Sequence, residues 1–166
     1  EEGQGWQIAM RTLQYERGAE AGAAGGLAMV RVTIDDMIAQ LHDVRRDRAP
    51  ILEDPVIRDQ LVRLVMEEKA IALGERRSHI GPLTTDYPGS LPLSHKLRAT
   101  EAARRMRQFA INLQGAEGAL YVGDEAARQG GFWQRADLNS FSATIGGGTS
   151  QIQANIVAEH VLGLPK

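Results

Sequence analysis

Two stretches of the chain combine residue types that could act on a bound molecule. In the first, Glu16 and Arg17 directly precede a glycine, so a carboxylate that can accept a proton and a guanidinium that can hold an anion lie where a ligand can approach a helix closely. In the second, residues 146–148 are three glycines followed by Thr149 and Ser150. A glycine turn that begins a helix exposes unpaired N–H groups at the positive end of the helix dipole. Taken alone, a surface ion pair and an ordinary helix start are the simpler explanations.

Length and composition limit the class of protein. The 166 residues carry a formal net charge of -2 and no cysteine, which predicts one domain without disulfides or cysteine-based metal sites and without a general affinity for nucleic acid. No apolar run approaches the roughly 20 residues that span a bilayer. We expect a soluble, cytoplasmic chain with no membrane span. Because the sequence begins at Glu1 rather than methionine, we also expect residues 1–166 to be a fragment of a longer protein.

The elements that must position these residues are predicted to be helices. Aromatic residues make up 5% of the chain, and alanine, leucine and arginine are abundant, which favours helices over strands. A first helix is predicted from Gln4 to as far as Arg46, closed by the positive run at residues 45–48. Within it, glycines at 18, 22 and 26 form a small-residue ridge that either allows close packing or breaks the helix near residues 25–26.

Three further helices are predicted downstream. Asp54 and Pro55 are a capping residue and a first helical residue, and the second helix reaches about His79. The third has apolar positions at helical spacing from Leu93 to Leu113, and the fourth, capped at Thr149 and Ser150, ends at residues 163–165. Its predicted apolar positions are Ile152, Ile156, Val157 and Val161. Residues 121–142 are less periodic, so short helices and turns are expected there, with no strand anywhere. This pattern predicts an all-α fold, an antiparallel four-helix bundle.

Other arrangements of reactive residues do not form recognisable sites. The four histidines, at 42, 79, 95 and 160, lie one to a segment without the spacing of metal ligands, so no metal site is predicted. Asp35 and Asp36 are adjacent in sequence and therefore diverge around a helix, unlike the paired carboxylates of a glycosidase.

Three segments of this sequence resemble the carboxy-terminal domain of acyl-CoA dehydrogenases, and most of all the bacterial branch whose chains end in Gly-Gly-Thr-Ser-Glu-Ile-Gln and then Leu-Gly-Leu-Pro. They are residues 5–10, GWQIAM; residues 15–18, YERG; and residues 146–166, GGGTSQIQANIVAEHVLGLPK. Shorter matches at residues 50–58, 94–96, 100–101 and 115–118 extend the resemblance over nearly the whole chain.

The resemblance implies a three-part flavoprotein of which this chain is the last domain. Its cofactor would be FAD and its substrate an acyl-CoA thioester. A glutamate removes the α-proton of that thioester while a hydride leaves the β-carbon for the flavin. Electrons would then pass to electron-transfer flavoprotein or a similar acceptor. The family also implies a homo-oligomer, or association with a related subunit, built through this domain.

The resemblance assigns roles to particular residues. In many members the base precedes the Gly-Thr of the closing motif, and that position is Gly147 here; other members carry the base where this chain has Glu16. We therefore expect Glu16 to be the catalytic base, with Tyr15 and Arg17 in the acyl-CoA pocket. The implied contacts to FAD are Asn112 and Gly115, towards the cofactor of a neighbouring subunit, and Gly147, Gly148, Thr149 and Gln151.

The sequence departs from the family pattern at several positions. Gln14 stands where some relatives have an aspartate that binds CoA, and Ala154 where the motif usually has arginine. The Arg-x-x-Phe-Gly motif for the flavin phosphates is missing; Arg45, Arg46 or Arg48 could replace its arginine, and the sequence does not choose among them. Loss of the base at residue 147 also leaves open a non-catalytic helical subunit that serves oligomerisation.

Overall fold

A computed structural model of the chain describes residues 3–17, 32–42, 44–46, 48–83 and 90–165, and of residues 13–17 and 90–93 it describes the helical backbone. The described part of the chain is mostly helical. Its α-helices and strands are α1 (Gly5–Arg17), α2 (Ile34–Leu41), β1 (Arg45–Arg46), β2 (Ala49–Pro50), α3 (Pro55–Ser78), α4 (Ser90–Leu113), α5 (Phe132–Ile145) and α6 (Ser150–His160). No helix in these ranges is long and apolar enough to cross a membrane.

The predicted first helix is not continuous, because a new helix begins after Thr33. The Thr33 side chain accepts a hydrogen bond from the Asp36 backbone N–H at 3.1 Å, and the Thr33 N–H donates to the Asp36 carboxylate at 2.9 Å. This capping box satisfies the N–H groups that a helix start leaves unpaired. The Thr33 hydroxyl, which donates to the Asp36 carboxylate at 2.7 Å, and the Thr33 N–H lower the pKa of this exposed carboxyl. The predicted glycine ridge at residues 18, 22 and 26 lies outside the described residues.

The predictions that this helix reaches Arg46 and that the chain has no strand are both wrong. The α2 helix ends at Leu41, and Arg45 and Arg46 pair antiparallel with Pro50 and Ala49 in a short hairpin. The hairpin turns at Arg48, whose φ is +72°, and the Ile51 N–H donates to the Val44 carbonyl at 2.9 Å. The arginines at 45, 46 and 48 are therefore exposed hairpin residues rather than the charged end of a helix.

The second and third predicted helices are confirmed. The Asp54 carboxylate caps α3 by accepting from the N–H groups of Val56 at 2.8 Å and Ile57 at 3.3 Å, and Pro55 needs no such partner. The α4 helix ends at Leu113, just before Gly115, whose φ is +61°. This long helix lies against α3, α5 and α6, and also contacts α1, so it connects most of the described elements.

The core lies where α2, α3, α4 and α5 meet. Met37 of α2 is fully buried, and Ile51 in the 3₁₀ turn (Ile51–Glu53) is 2% exposed. Around them pack the other buried apolar side chains: Val32, Ile34, Leu41, Ile57, Leu61, Met106, Ala110, Leu113 and Trp133. Burial of this apolar area stabilises the contacts among the four helices.

The α5 helix was not predicted, since residues 121–142 were expected to form short helices and turns. Its hydrophobic periodicity does not indicate a helix, because it buries the polar side chains of Gln134, Asp137 and Ser140 while Leu138 and Ile145 are exposed. A left-handed glycine, Gly131, begins it with a φ of +74°. A Cβ atom at this glycine would lie 2.6 Å from the backbone nitrogen of Val122.

The last predicted helix is confirmed as α6, capped by Thr149, although its buried face was predicted incorrectly in part. Ile152 is half exposed, whereas the neighbouring Gln153 is fully buried. Ile156, Val157 and Val161 are partly buried. The helix thus turns an amide side chain inward at the end that follows the glycine turn.

Candidate functional site

The glycine turn between α5 and α6 has a backbone that side chains other than glycine rarely adopt. The φ angles of Gly147 and Gly148 are +65° and +104°, in the region that favours glycine. Gly146 ends α5 by donating its N–H to the Ser142 carbonyl at 2.7 Å. A Cβ atom at Gly147 would meet nothing within 4 Å. The backbone conformation therefore sets the need for glycine there, and the adjacent space is open.

The N-terminus of α6 follows this turn directly. The Thr149 hydroxyl accepts from the Ile152 N–H at 3.3 Å, and the Thr149 carbonyl accepts from the Gln153 N–H at 2.9 Å. The N–H groups of Ser150 and Gln151 precede the first intrahelical bond and so have no acceptor within the helix. They lie at the positive end of the helix dipole. This end can hold an anion or another electron-rich group.

Two polar side chains of α4 contact the glycine turn and the first residue of α6. The Lys96 ammonium donates to the Gly148 carbonyl at 2.6 Å, and the Ser150 hydroxyl donates to the Glu101 carboxylate. Lys96 and Glu101 belong to segments that stood out in the sequence only through their family resemblance. Their contact with the turn, about 50 residues further along the chain, is found only in the structure.

Gln153 holds the turn from the α6 side. Its Nε2 donates to the Gly147 carbonyl at 2.8 Å. The side chain is fully buried, and its Oε1 has no hydrogen-bond partner. Sequence reasoning missed this residue because it lies between two residues expected on an apolar face. The signal that points to it is a polar residue four positions after the capping Thr149.

The other two residues expected to contact FAD lie far from the glycine turn. Asn112 is exposed on the last turn of α4 and accepts from Gln108 Nε2 at 3.4 Å. Gly115 begins the 3₁₀ segment that follows α4 (Gly115–Ala119). A rise of 1.5 Å per residue along α4 places Lys96 and Asn112 about 24 Å apart. The structure therefore brings together residues 147–151, but not these residues with Asn112 and Gly115.

A cavity of about 350 Å³ lies beside the end of α4. Its lining combines polar and apolar side chains from α2, α4, α5 and the segments that follow α4 and precede α5: Met37, Gln40, Gln114, Arg128, Gln129 and Trp133 among them. The indole nitrogen of Trp133 donates to the Gln40 side chain. Gln134 Nε2 donates to Gln114 Oε1 at 2.9 Å. Gln114, which lines the cavity, directly precedes Gly115 in the sequence.

The expected base and substrate residues lie in the last turn of α1. The backbone of Tyr15, Glu16 and Arg17 is helical, and α1 contacts α4. The side chains of these three residues lie outside the described part of the chain. Their roles remain predictions.

Within the described ranges, no group of three or more histidine, aspartate and glutamate side chains could hold a metal ion. His42, His79 and His160 are exposed, and His95 is half-buried. The candidate site consists of the glycine turn, the start of α6 and the α4 side chains that contact them.

Comparison with known families identifies the chain. Residues 3–162 match the model of the acyl-CoA dehydrogenase C-terminal domain. The chain belongs to the acyl-CoA dehydrogenase family. It is 32% identical over 165 residues to acyl-CoA dehydrogenase IpdE1 of Mycolicibacterium smegmatis, and 31% over 164 residues to IpdE1 of Mycobacterium tuberculosis. Each alignment covers 99% of this chain, and 38% and 39% of those relatives respectively. The chain thus spans about two fifths of the length of these relatives.

Solved structures share the fold of this acyl-CoA dehydrogenase domain. The Tcur3481-Tcur3483 steroid ACAD superposes with a TM-score of 0.72 at 24% identity, over 98% of this chain and 40% of that one. The ChsE4-ChsE5 complex from Mycobacterium tuberculosis gives a TM-score of 0.71 at 18% identity, over 100% and 42%. The described helices therefore have an arrangement that is also found within larger solved chains.

Proposed function

We propose that this chain is the C-terminal domain of an FAD-dependent acyl-CoA dehydrogenase that introduces an α,β double bond into an acyl-CoA thioester. Its principal helices would form the antiparallel four-helix bundle of such a domain. The observation that carries the proposal is the glycine turn at residues 146–148, which leads into α6, whose first N–H groups have no acceptor within the helix. Family membership supplies the chemistry, and this turn supplies a place for the cofactor.

The residues at the turn fit a flavin. The open space beside Gly147 admits a flat ring close to the backbone, and the N–H groups of Ser150 and Gln151 offer donors to its electron-rich atoms. Thr149, Gln151 and the turn glycines would hold FAD. Bound FAD supplies the hydride acceptor. Backbone donors fixed before the reaction stabilise negative charge that develops at such an acceptor.

The proposed base is Glu16 rather than a residue in the glycine turn. Gly147 occupies the position of the base in many relatives and has no side chain to accept a proton. Glu16 lies in α1, the helix that contacts α4. Its carboxylate would remove the α-proton of the thioester, and burial under the acyl chain would raise its pKa towards that needed by a general base. Tyr15 and Arg17 would line the acyl-CoA pocket.

Oligomerisation is the second part of the proposal. Asn112, on the last turn of α4, and Gly115, just after that helix, lie too far from the glycine turn to join it, which agrees with contact to the cofactor of a neighbouring subunit. Leu138, Phe141 and Ile145 form an exposed apolar stripe on α5 at helical spacing, and we propose that a second subunit covers it. The subunit would be another copy or a related chain, and electron-transfer flavoprotein or a similar protein would accept the electrons.

The alternative function is a non-catalytic oligomerisation domain or subunit. The observation that favours it is Gly147, because the usual base position carries no carboxylate. In that case the glycine turn either binds a cofactor without taking part in catalysis or serves only to end α5, and Glu16 has no catalytic role.

The decisive experiment uses the full-length protein that contains this chain. The purified protein should be yellow, and anaerobic mixing with an acyl-CoA should bleach its flavin absorption. A panel of fatty, branched, aromatic and steroid-derived thioesters covers the substrates that the sequence leaves open, with the last included because one structural neighbour is a steroid ACAD. A colourless protein that does not respond to any thioester would rule out the dehydrogenase.

The base is tested in the same protein with Glu16→Gln. This variant should retain FAD and lose flavin reduction by at least about a thousandfold, since the reaction depends on proton removal. Glu68→Gln, at a half-buried position on α3, is the matched control and should reduce its flavin normally. Flavin reduction at the wild-type rate in Glu16→Gln would show that the base lies elsewhere.

A further inference from the structure

We propose that Lys96 and Gln153 are positioning residues that fix two consecutive peptide groups of the glycine turn so that their N–H groups face the cofactor. The inference rests on the proposed function, since it assumes that the turn contacts FAD. It adds two side chains that need not touch the cofactor. Both act through the backbone of residues 147–149.

The geometry of the peptide bond carries the argument. In a trans peptide the carbonyl and the following N–H point in opposite directions. Gln153 Nε2 holds the Gly147 carbonyl at 2.8 Å, and the Lys96 ammonium holds the Gly148 carbonyl at 2.6 Å. The N–H groups of Gly148 and Thr149 must then point away from these two donors. Two neighbouring peptide groups are thereby oriented in succession.

These two N–H groups directly precede, along the chain, those at the start of α6. Those of Ser150 and Gln151 precede the first intrahelical bond. Together with the N–H groups of Gly148 and Thr149, they give a run of four backbone donors in and beside the turn. Successive N–H groups at a turn with positive φ form a concave site for electron-rich atoms. Without these two side chains, Gly147 and Gly148 would leave the two peptide groups of the turn free to rotate, because glycine restricts φ and ψ least of all residues.

The burial of Gln153 shows that its bond to the turn is a specific feature. The side chain is fully buried, and its Oε1 lacks a hydrogen-bond partner. An unpaired buried oxygen destabilises the folded chain, and an apolar side chain of similar size would avoid this cost. The one described hydrogen bond of this side chain is the one to Gly147. The amide at this position therefore serves that bond.

The α4 helix holds the second donor, Lys96, in a fixed position. Lys96 is half-buried and lies within a helix of 24 residues that packs on α3, α5 and α6. Five residues further along the same helix, the Glu101 carboxylate accepts a hydrogen bond from the Ser150 hydroxyl. A single rigid element therefore holds both the turn and the first residue of α6. Movement of the turn relative to α6 is restrained from both sides.

The test measures FAD binding by the full-length protein with conservative and non-conservative variants. Lys96→Met removes the ammonium and keeps the length of the side chain, whereas Lys96→Arg retains a charged donor. We expect Lys96→Met to raise the Kd for FAD about tenfold or more, since a bond from a charged donor is lost. Gln153→Leu should raise it by about threefold to tenfold. Lys96→Arg should stay within about threefold of the wild type.

Matched controls come from exposed positions on α3. Lys69→Met and Gln60→Leu make the same chemical changes away from the turn, and each should leave the Kd for FAD within about twofold of the wild type. At saturating FAD, the flavin absorption maximum and reduction potential should shift in Lys96→Met and Gln153→Leu but not in the controls. A purely structural role would lower the Tm without moving these two flavin properties.

Three results would overturn the proposal in distinguishable ways. If wild-type protein binds FAD and both Lys96→Met and Gln153→Leu bind it equally well with the same spectrum, the positioning role is wrong and the proposed function stands. Equal weakening in Lys96→Met and Lys96→Arg would show that the donor is not what matters. A wild-type protein that does not bind FAD would remove the proposed function and this inference together.

Discussion

Arg107 on α4 and Asp137 on α5 carry opposite charges and are both buried, at 5% and 9% exposure, yet their polar atoms are incompletely paired. Arg107 Nε and Nη1 and Asp137 Oδ1 have no hydrogen-bond partner. Burial raises the pKa of the Asp137 carboxyl more than the charges of Arg104 and Arg107 lower it. Burial likewise lowers the pKa of Arg107, and the charge of Asp137 opposes this. Loss of hydration therefore outweighs mutual attraction at the α4–α5 contact.

A pH dependence of stability follows from Asp137. Because its pKa is raised in the folded chain, the folded state binds the proton more tightly than the unfolded state. The resulting stabilisation is present below the ordinary pKa of 3.8 and is lost as the pH rises through the raised value. Asp137→Asn should therefore gain stability relative to the wild type as the pH rises above about 4. Urea unfolding of the chain across this range, with the exposed Glu125→Gln as control, measures the difference; a difference that is constant with pH would contradict it.

Two methionines test where the core lies. Met37 is fully buried and Met66 is 65% exposed. Met37→Ala should lower the free energy of unfolding by about 2–5 kcal/mol, because it loses buried apolar area and leaves a cavity. Met66→Ala should change it by less than about 0.5 kcal/mol. Urea denaturation of the two variants makes the comparison, and equal losses would show that α2 does not pack in the core.

Adjacent glycines before α5 separate backbone strain from steric overlap. Gly130 and Gly131 both have positive φ, at +61° and +74°. A Cβ atom at Gly130 would meet nothing within 4 Å, whereas at Gly131 it would lie 2.6 Å from the Val122 nitrogen. Gly130→Ala should cost about 1–2 kcal/mol from backbone strain alone. Gly131→Ala should cost clearly more in the same thermal unfolding experiment, and similar Tm values for the two variants would be inconsistent with this packing.

The exposed apolar stripe on α5 tests the proposed subunit contact. Leu138 is 59% exposed. Leu138→Asp should weaken assembly of the full-length protein by at least about tenfold, since it would bury an unpaired charge in an apolar contact. Asn139→Asp adds the same charge at the next exposed position and should assemble normally if the stripe is the contact. Light scattering coupled to size-exclusion chromatography reports the mass of each variant; an unchanged oligomer in Leu138→Asp would place the contact on another face.

Local signals in the sequence predict the helices that have both a cap and an apolar period. Asp54 with Pro55, and Thr149 with Ser150, mark true helix starts, and the structure has α3 and α6 there. The same reasoning would have found the start of α2 from Thr33 and Asp36, which form a capping box. Instead, the apolar positions on both sides of Thr33 favour a helix that continues through it, and the break that the sequence leaves open lies near residues 25–26. Apolar period alone does not reveal a break.

The parts that sequence could not predict depend on contacts between distant residues. The α5 helix buries Asp137 and Ser140 and exposes Leu138, so its pattern of hydrophobicity does not mark its inner face. The donors that hold the glycine turn are likewise far apart in the chain, since Lys96 contacts a carbonyl 52 residues away. Resemblance drew attention to residues 94–101 without saying what they contact. That relationship required the fold.

The length of α4 limits where residues can be inserted into or deleted from this chain. Lys96 near its start contacts the glycine turn, and Asn112 stands on its last turn. Inserting one residue between them would rotate one end of the helix against the other by about 100° and advance it by about 1.5 Å. Both ends could not then keep their neighbours. The helix between residues 96 and 112 should thus tolerate substitutions more readily than insertions or deletions.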